Sequence, residues 1–446
     1  MVARIVVAAP GSGHGKTTVA AGLMAALRAR GVRVSGHKVG PDFIDPGYHA
    51  LATGRPPRNL DPFLQGEDRV VPLMLHGSRG ADIAVVEGVM GLFDGALGTE
   101  GYASTAHVAR LIDAPVLLVV DASAASRSVA ATVLGFAHYD PRLTLAGVIL
   151  NKLGSRRHED EIRAALAPTG IPVLGALRRS EHIHAPSRHL GLVPAAERAE
   201  QSGKLLPGLA EWVREGVDLA AVTRVAETAA PLSGAPWSPG PFREGPRRTV
   251  AAAGGAAFTF RYTETAELLA ARGVDLVDVD PLRDERLPDE CAGVYLGGGF
   301  PEAHAEELSG NEPLRAELAR AVAAGTPTVA ECAGLLYLCG ELDGHPMVGA
   351  LPATARMRSR GALGYRKARA PSGNVVAVAG QRVSGHEFHR TVVEPVHGGD
   401  NAAWEWDGAL EGYASPTMHA SYLHVHWAGH PELADRFAAA VRGERP

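Results

Sequence analysis

The chain of 446 residues has few cysteines, no excess of positive charge and no long apolar run. Its three cysteines, Cys291, Cys332 and Cys339, are too few for a disulfide framework and form no CxxC metal motif, so a reducing cytoplasm is the expected compartment. The formal net charge of −5 provides no basic excess for binding nucleic acid. No apolar run approaches the roughly 20 residues needed to span a bilayer, so no membrane-spanning helix is expected.

The composition that remains is that of an ordinary globular protein, with 46% hydrophobic and 21% charged residues. The length suits two or three domains. A stretch rich in proline and glycine, APLSGAPWSPGPFREGPRR, cannot continue a helix or a central strand and predicts a linker. We therefore predict a first domain at 1–195, a helical segment and linker at 196–248, and a second domain at 249–446.

Both predicted domains alternate short apolar strands with amphipathic helices. The first contains ARIVVAA, VRVSGHKV, DIAVVEG, APVLLVVD and LAGVILN, and such runs are typical of parallel strands that are buried on both faces. The second continues with TVAAAGG, DLVDVD, GVYLGGG and TPTVAEC. The predicted fold class is α/β, with a doubly wound parallel sheet in the first domain and a second α/β domain after the linker.

The sequence GSGHGKTT follows the first predicted strand and precedes a predicted helix, which is typical of a phosphate-binding loop. Its backbone N–H groups would surround phosphates, Lys16 would reach the outer phosphates of ATP, and the Thr17 hydroxyl would ligate Mg²⁺. The strict motif begins with glycine where this chain has Pro10, so the first turn departs from it. The loop residues predicted to bind ATP are Gly13, Gly15, Lys16, Thr17 and Thr18.

Polar residues stand where other strands of the first domain end. Glu87 ends DIAVVEG at the carboxyl edge of the sheet, where a carboxylate can hold Mg²⁺. Asp42 and Asp45 follow the strand-end Lys38, which we expect at the phosphates; the two aspartates either hold metal and substrate or cap turns. Asn151 ends GVILN and either reads an adenine edge or caps the next turn.

In the second domain, a glycine loop and a cysteine each follow a predicted strand. GVYLGGGFPE includes Gly298 and Gly299, whose N–H groups would stabilise a developing oxyanion. VAECAGL places Cys332 at a strand-to-helix turn, and the N–H of Ala333 would be a second oxyanion donor. The alternatives are a plain turn and a buried structural cysteine.

Two histidines near the end of the chain complete this pattern. ASYLHVHWAGH places His424 and His426 on one face of a strand, where they either act in catalysis or pack. A cysteine nucleophile needs a histidine base nearby in space, and such a neighbour would lower the pKa of the Cys332 thiol. The three elements together predict acyl transfer through a thiol.

The motifs GGGFPE, AECAG and SYLHVHW resemble the glutaminase domain of class I glutamine amidotransferases, in the cobyric-acid-type subgroup. The resemblance implies that Cys332 attacks glutamine and that His424 activates it. Most class I members have a glutamate two residues after the histidine, and this chain has His426 there, as the subgroup also lacks that glutamate. The third member of the triad stays open.

The first half is similar to dethiobiotin-synthetase-like ATPases. APGSGHGKTT, HKVGPDFIDPGYH, NLDPF, VEGVMGLFDG and GVILNKLGS, with GYRKA and SGHEFHRT in the second half, resemble the corrinoid a,c-diamide synthases of the CobB/CbiA family. The likeness covers nearly the whole chain. It implies ATP and glutamine as substrates, Mg²⁺ as cofactor, and amidation of the a and c carboxylates of hydrogenobyrinic or cobyrinic acid. It places four carboxylates at the synthetase site: Asp42, Asp45, Glu87 and Asp94.

Two other functions stay open at this point. One is glutamine-dependent amidation of another polycarboxylate, such as nickel sirohydrochlorin. The other is an ATPase switch similar to ParA and MinD, with a non-catalytic amidotransferase domain; those switches have a lysine early in the loop, where this chain has Gly11. The expected partners are the corrinoid and glutamine, without nucleic acid or membrane, and a homodimer is an open alternative to a monomer.

Overall fold

The computed structural model describes residues 2–180, 187–188, 191–192 and 199–444. The chain forms two compact units, one of Met1–Pro62 with Gly66–Trp237 and the other of Phe63–Gln65 with Ser238–Pro446. The predicted boundary between residues 195 and 196 lies outside the described residues. None of the helices in the described ranges is both long enough and apolar enough to cross a membrane.

The first unit contains a parallel sheet in the order β3-β2-β4-β1-β5-β6-β7. Its strands are β1 (Ala3–Ala8), β2 (Val34–Val39), β3 (Arg58–Leu60), β4 (Ile83–Glu87), β5 (Val116–Asp121), β6 (Leu145–Leu153) and β7 (Val173–Arg178). The five predicted strands are present, and the two outermost strands were not predicted. Because β1 lies between β4 and β5, the loop after it emerges at the point where strand order reverses, which is where such sheets bind ligands.

Helices follow most of these strands. They are α1 (Lys16–Ala29), α2 (Asp45–Thr53), α3 (Pro62–Gln65), α4 (Glu67–Gly77), α5 (Thr105–Leu111), α6 (Ser128–Tyr139), α7 (Arg156–Leu166), α8 (Ala199–Gly216) and α9 (Leu219–Glu227). Two short strands, β8 (Ser187–Arg188) and β9 (Gly191–Leu192), pair antiparallel. The helical segment before the linker belongs to the first unit: α8 packs against α1, and α9 packs against β1.

The second unit contains two sheets. In chain order its strands are β10 (Arg248–Ala253), β11 (Val274–Val279), β12 (Cys291–Leu296), β13 (Thr328–Glu331), β14 (Glu341–Leu342), β15 (His345–Pro346), β16 (Thr354–Arg369), β17 (Arg382–Glu394), β18 (Trp404–Trp406), β19 (Ala409–Glu411), β20 (Tyr413–Ser415), β21 (Met418–Ser421) and β22 (His424–Val425). Its helices are α10 (Thr263–Ala271), α11 (Ala305–Gly310), α12 (Glu312–Ala323), α13 (Ala333–Leu338) and α14 (Pro431–Val441).

One sheet runs in the order β11-β10-β12-β13-β21-β20 and is parallel except at its last pair. The other runs β15-β14-β16-β17-β22, and its long antiparallel hairpin β16–β17 was not predicted. Of the two sheets of this unit, the one with β13 contains β21 and the one with β17 contains β22. The chain that connects them therefore carries the second sheet to the carboxyl end of β13, where the predicted cysteine stands.

A buried arginine near the start of β1 links three segments of the first unit. Arg4 lies on β1 with 1% of its surface exposed. Its Nε donates to the Ile112 carbonyl at 2.5 Å, and Nη2 donates to the carbonyls of Asp113 at 2.9 Å and Ala230 at 2.5 Å. One charged donor group therefore joins β1, the end of α5 and the segment after α9.

We expect Arg4→Met to lower the free energy of unfolding of the first unit by about 2–4 kcal/mol, because one buried and two partly buried hydrogen bonds lose their charged donor. Urea unfolding followed by circular dichroism measures the change. The matched control is Arg33→Met: Arg33 pairs with Asp82 at the surface, with 67% of its side chain exposed, and its substitution should have a much smaller effect. Equal effects of the two substitutions would contradict this account of Arg4.

Candidate active sites

The loop between β1 and α1 has the backbone of a phosphate-binding turn. Gly13 and Gly15 have φ of 82° and 86°, a region that favours glycine. A Cβ at Gly15 would also lie 2.4 Å from the Nδ2 atom of Asn151. The loop leads into the N-terminus of α1, where Lys16 is the first residue and is buried. Free N–H groups at this end can bind phosphate oxygens.

Four predicted residues meet beside this loop. The Thr17 hydroxyl donates to Glu87 Oε1 at 2.7 Å and to Asp45 Oδ2 at 3.1 Å. The Lys38 ammonium donates to the same two oxygens, at 2.9 Å and 2.5 Å. They converge because Lys38 and Glu87 end adjacent parallel strands in register, while Asp45 begins α2 and Thr17 lies in the first turn of α1.

The charges of this cluster are strongly coupled. Burial alone would lower the pKa of Lys38, but the charges of Asp45 and Glu87 outweigh it and raise that pKa. Burial would likewise raise the pKa of Glu87, but the Lys38 charge and hydrogen bonds from His49 and Thr17 lower it. Burial and neighbouring carboxylates raise the pKa of Asp45. Lys38 therefore stabilises the charged form of Glu87, while Asp45 ionises less readily.

The oxygen donors fit Mg²⁺. The described residues include no group of three or more His, Cys, Asp or Glu side chains placed to enclose a metal. Mg²⁺, however, usually keeps several waters and takes one or two carboxylates together with substrate phosphates. The Thr17 hydroxyl and the carboxylates of Asp45 and Glu87 form such a set next to the phosphate loop.

The other predicted aspartates have different surroundings. Asp42 Oδ1 accepts the N–H groups of Ile44 at 2.8 Å and Asp45 at 3.0 Å, so it caps the turn before α2. Its Oδ2 lies 3.8 Å from Lys38 Nζ, so the same residue also faces the cluster. Asp94 Oδ2 accepts the Gly91 N–H at 2.9 Å and closes a turn. Thr18 lies partly exposed in α1.

Asn151 braces the loop from behind. Its Nδ2 donates to the His14 carbonyl at 2.9 Å, and its Oδ1 accepts the N–H of Lys152 at 2.8 Å. This arrangement matches the turn-capping alternative, while a contact with adenine stays a prediction. The sequence did not indicate two further braces: Lys152 Nζ donates to the Gly13 carbonyl at 2.8 Å, and His14 Nδ1 accepts the Asp121 N–H at 2.9 Å.

In the second unit, Cys332 stands on a sharp turn between β13 and α13. Its φ of 50° and ψ of −97° are unusual for a residue other than glycine. The turn is fixed by a bond from its N–H to the Ser421 carbonyl at 2.7 Å and one from Gly334 N–H to the Gly297 carbonyl at 3.1 Å. A Cβ at Gly334 would lie 2.3 Å from the Leu296 carbonyl oxygen, so the helix can pack this closely only through glycine.

The predicted base borders the same glycine loop. His424 is fully buried on β22, opposite His386 of β17, and the two rings lie 5.0 Å apart. A Cβ at Gly298 would lie 2.4 Å from His424 Cε1, so that glycine admits the imidazole. The Cys332 sulfur lies 3.9 Å from the Phe388 carbonyl, also on β17. Cysteine and histidine therefore share the glycine loop and β17 as neighbours.

The electrostatics of the pair differ from the prediction. Burial, with the nearby charge of Glu302, raises the pKa of the Cys332 thiol, against an opposing hydrogen bond from the Ala333 N–H. The expectation of a lowered thiol pKa is therefore wrong for this structure. Burial also lowers the pKa of His424 well below its usual range, and the imidazoles of His386 and His389 act in the same direction. Both groups are therefore neutral at rest, the cysteine as a thiol and the histidine as an imidazole.

The oxyanion donors need one correction. Ala333 directs its N–H to the thiol, as expected for the residue after the nucleophile. Gly298 does not fit: it forms a two-way bridge with Phe260, and its N–H donates to the Phe260 carbonyl at 3.1 Å. That N–H is therefore occupied in this structure, because the chain after β10 pairs with the glycine loop. Gly299 and Ala333 remain the predicted donors.

A carboxylate lies near His426, the histidine found where most class I amidotransferases have a glutamate. Glu264, in the first turn of α10, has its Oε2 3.5 Å from Nε2 of His426, and both side chains are buried. The Tyr262 ring packs on the same imidazole at 4.2 Å. This pair could not be predicted from the sequence, because Glu264 lies far from the histidines along the chain.

Two family profiles match the sequence of this chain. Residues 249–432 match a family profile described as a CobB/CobQ-like glutamine amidotransferase domain, and residues 5–193 match a CobQ/CobB/MinD/ParA nucleotide binding domain. The chain is 57% identical to a protein of Thermobifida fusca named hydrogenobyrinate a,c-diamide synthase, over 99% of this chain and 98% of that one. The chain belongs to the a,c-diamide synthase family. The predicted family and fold class are confirmed.

Other members of the a,c-diamide synthase family are similar over almost their whole length. A hydrogenobyrinate a,c-diamide synthase of Streptomyces coelicolor is 54% identical over 99% of this chain and 98% of its own. A cobyrinate a,c-diamide synthase of Synechococcus is 43% identical over 98% of both chains. The family makes amides with ATP and with glutamine as nitrogen donor, so the enzyme class is settled, and the ring it acts on is a separate question.

We expect alkylation of Cys332 by iodoacetamide to rise about tenfold per pH unit from pH 8 to 10 without a plateau, because the thiolate is the reactive form and burial raises the thiol pKa. Peptide-resolved mass spectrometry measures the rate at each cysteine. Alkylation of the partly exposed Cys291 in the same chain serves as the control, because it shows that the reagent is active at each pH. Poor access alone would lower the rate equally at every pH, so a plateau at about pH 8–9 would contradict the raised pKa.

Proposed function

We propose that this enzyme amidates the a and c carboxylates of hydrogenobyrinic acid, with ammonia from glutamine and energy from ATP. The observation that carries the proposal is that one chain holds a Cys332 elbow in one unit and a phosphate loop with its carboxylate cluster in the other. The relatives named for the cobalt-free ring are 49–57% identical to this chain, against 38–45% for those named for cobyrinate. This difference supports the cobalt-free substrate.

At the glutaminase site, the Cys332 sulfur attacks the side-chain amide carbon of glutamine while His424 accepts the thiol proton. His424 then gives that proton to the departing ammonia, and a thioester remains. N–H groups of Ala333 and Gly299 would stabilise the oxyanion that forms at each stage. Water hydrolyses the thioester to glutamate and restores the thiol. A neutral pair suits this sequence, because the proton moves only as the carbon–sulfur bond forms.

At the synthetase site, an oxygen of the corrinoid carboxylate attacks the γ-phosphorus of ATP and ADP departs. Ammonia then attacks the acyl carbon of the resulting acyl phosphate, loses a proton and displaces phosphate, leaving an amide. Lys16 and Lys38 offset the charge of the transferring group. Mg²⁺, held by Thr17, Asp45 and Glu87, would supply further neutralisation of the phosphates. Asp42 and Asp94 are proposed at the substrate side of this site.

The cellular setting and assembly follow from the same proposal. The three cysteines are free thiols, which suits a reducing cytoplasm. A homodimer is compatible with the proposed chemistry, because each chain carries both half-sites. The corrinoid and glutamine are the proposed small-molecule partners.

Mass spectrometry of hydrogenobyrinic acid and, separately, cobyrinic acid incubated with the enzyme, MgATP and glutamine tests the proposal. We expect two successive exchanges of OH for NH₂, faster on hydrogenobyrinic acid. Cys332→Ala should abolish the exchange with glutamine and retain it with free ammonia, because only the source of ammonia is lost. The matched control is Cys339→Ala, which should retain the exchange with glutamine. Cys339 is buried at the C-terminal end of α13 and has no role in the proposed chemistry.

ATP hydrolysis without a mass change on either ring would sink the corrinoid assignment and direct the search to other polycarboxylates, such as nickel sirohydrochlorin. ATP hydrolysis without any glutaminase activity would instead favour the ATPase switch. Loss of the ammonia-dependent reaction in Cys332→Ala would contradict the separation of the two half-reactions.

A further inference from the structure

A buried histidine that the proposed chemistry does not use touches the carboxylate cluster. His49 lies on α2 one turn after Asp45, and its side chain is fully buried. Its Nε2 lies 2.6 Å from Glu87 Oε2, and neither side chain is exposed. An ionised carboxylate can only accept, so Nε2 carries the hydrogen and donates it.

The two oxygens of Glu87 have separate partners. Oε1 accepts from the Thr17 hydroxyl at 2.7 Å and from the Lys38 ammonium at 2.9 Å, so it faces the phosphate loop. Oε2 accepts from His49 on the opposite side. Because a carboxylate is planar, a hydrogen bond at one oxygen fixes the direction of the other. His49 therefore sets the rotation that keeps Oε1 toward Thr17.

The imidazole is itself held in place. A Cβ at Gly36, on β2, would lie 2.8 Å from His49 Cβ, so the histidine packs directly against the strand that carries Lys38. The Thr53 hydroxyl donates to the His49 carbonyl at 2.8 Å within α2. Because α2 also begins with Asp45, a single helix places one carboxylate of the cluster and orients the other.

We propose that His49 is a positioning residue of the synthetase site, which orients Glu87 for the divalent cation that accompanies ATP. The inference rests on the proposed ATP-dependent function of the first unit, but it does not depend on which acid is amidated. A purely structural histidine would contribute to folding alone. A positioning residue also changes the affinity for the cation, because the removal of such a partner typically costs about 10- to 100-fold in metal binding.

The test measures Mn²⁺ binding by electron paramagnetic resonance on the full chain, with a non-hydrolysable ATP analogue and no corrinoid present. We expect His49→Ala to weaken Mn²⁺ binding by about 10- to 100-fold. His49→Gln should recover most of the affinity, since its amide N–H can replace Nε2–H. The Mg²⁺ concentration for half-maximal amidation with free ammonia should shift in parallel.

The matched control is His37→Gln. His37 is equally buried on β2, but its Nε2 contacts the hydroxyls of Ser35 and Ser78 at 3.2 Å and 3.1 Å rather than a carboxylate of the cluster. The His37→Gln enzyme should bind Mn²⁺ with the same affinity as the unaltered enzyme. If His37→Gln weakened Mn²⁺ binding as much as His49→Ala does, the effect would be one of packing and the proposal would be overturned. Unchanged Mn²⁺ binding in folded His49→Ala would overturn it as well.

If His49→Ala does not fold, His49→Gln compared with His49→Asn decides the matter, because the shorter asparagine amide cannot reach Glu87 Oε2. Equal Mn²⁺ affinities in these two variants would overturn the proposal. The failure of the corrinoid assignment would appear separately, as an unchanged ring mass in the presence of a His49-dependent cation site.

Discussion

A single buried ammonium, that of Lys38, balances the carboxylates on which the first unit depends. Two carboxylates buried next to each other would cost several kcal/mol each without a cation. Lys38 bonds to Asp45 at 2.5 Å and to Glu87 at 2.9 Å, and it does so from the end of β2 because the parallel register places it opposite Glu87. The doubly wound sheet and the placement of α2 are thus tied to one local charge balance.

One ammonium faces more than one carboxylate in this site. Asp42 also faces Lys38, at 3.8 Å, so three carboxylates surround one ammonium, with Lys16 as a second buried cation nearby. Burial and the charge of Lys38 lower the pKa of Lys16, which shows that positive charges in this site oppose each other as well. In the proposed mechanism, triphosphate would bring negative charge to the lysines, and its cation would bring positive charge to the carboxylates. Each component of MgATP would then favour the binding of the other.

The sequence predicted the chemistry at strand ends better than the partners that come from elsewhere. Lys38, Glu87 and Cys332 were predictable because each lies at the end of a buried strand or directly after it, and parallel strands bring their carboxyl ends to one edge. His49 and Glu264 were not, because each approaches from a helix and its partner lies 38 or 162 residues away along the chain. No local periodicity carries such information.

The incorrect predictions have the same origin. A glycine loop indicates available N–H groups, but the pairing of Gly298 with Phe260 joins two segments whose sequences do not suggest a bridge. The pKa of the Cys332 thiol was expected to fall beside a histidine, yet burial and the charge of Glu302 raise it. The long hairpin β16–β17 was missed although it supplies the strand opposite His424, because its exposed residues break the alternation that marks a half-buried strand.

The two half-sites rest in chemically quiet states for different physical reasons. In the second unit the thiol stays protonated and the imidazole neutral, since burial disfavours the charged form of both. In the first unit the carboxylates are occupied by Lys38 and Thr17 until a nucleotide brings its cation. In the proposed mechanism, glutamine offers the neutral thiol an electrophilic carbon, so that proton transfer accompanies bond formation. MgATP would change the state of the carboxylate cluster by adding charge of both signs. The proposed reaction needs ammonia and an acyl phosphate at the same time. Because neither site holds a pre-formed reactive group, neither site consumes its own substrate prematurely.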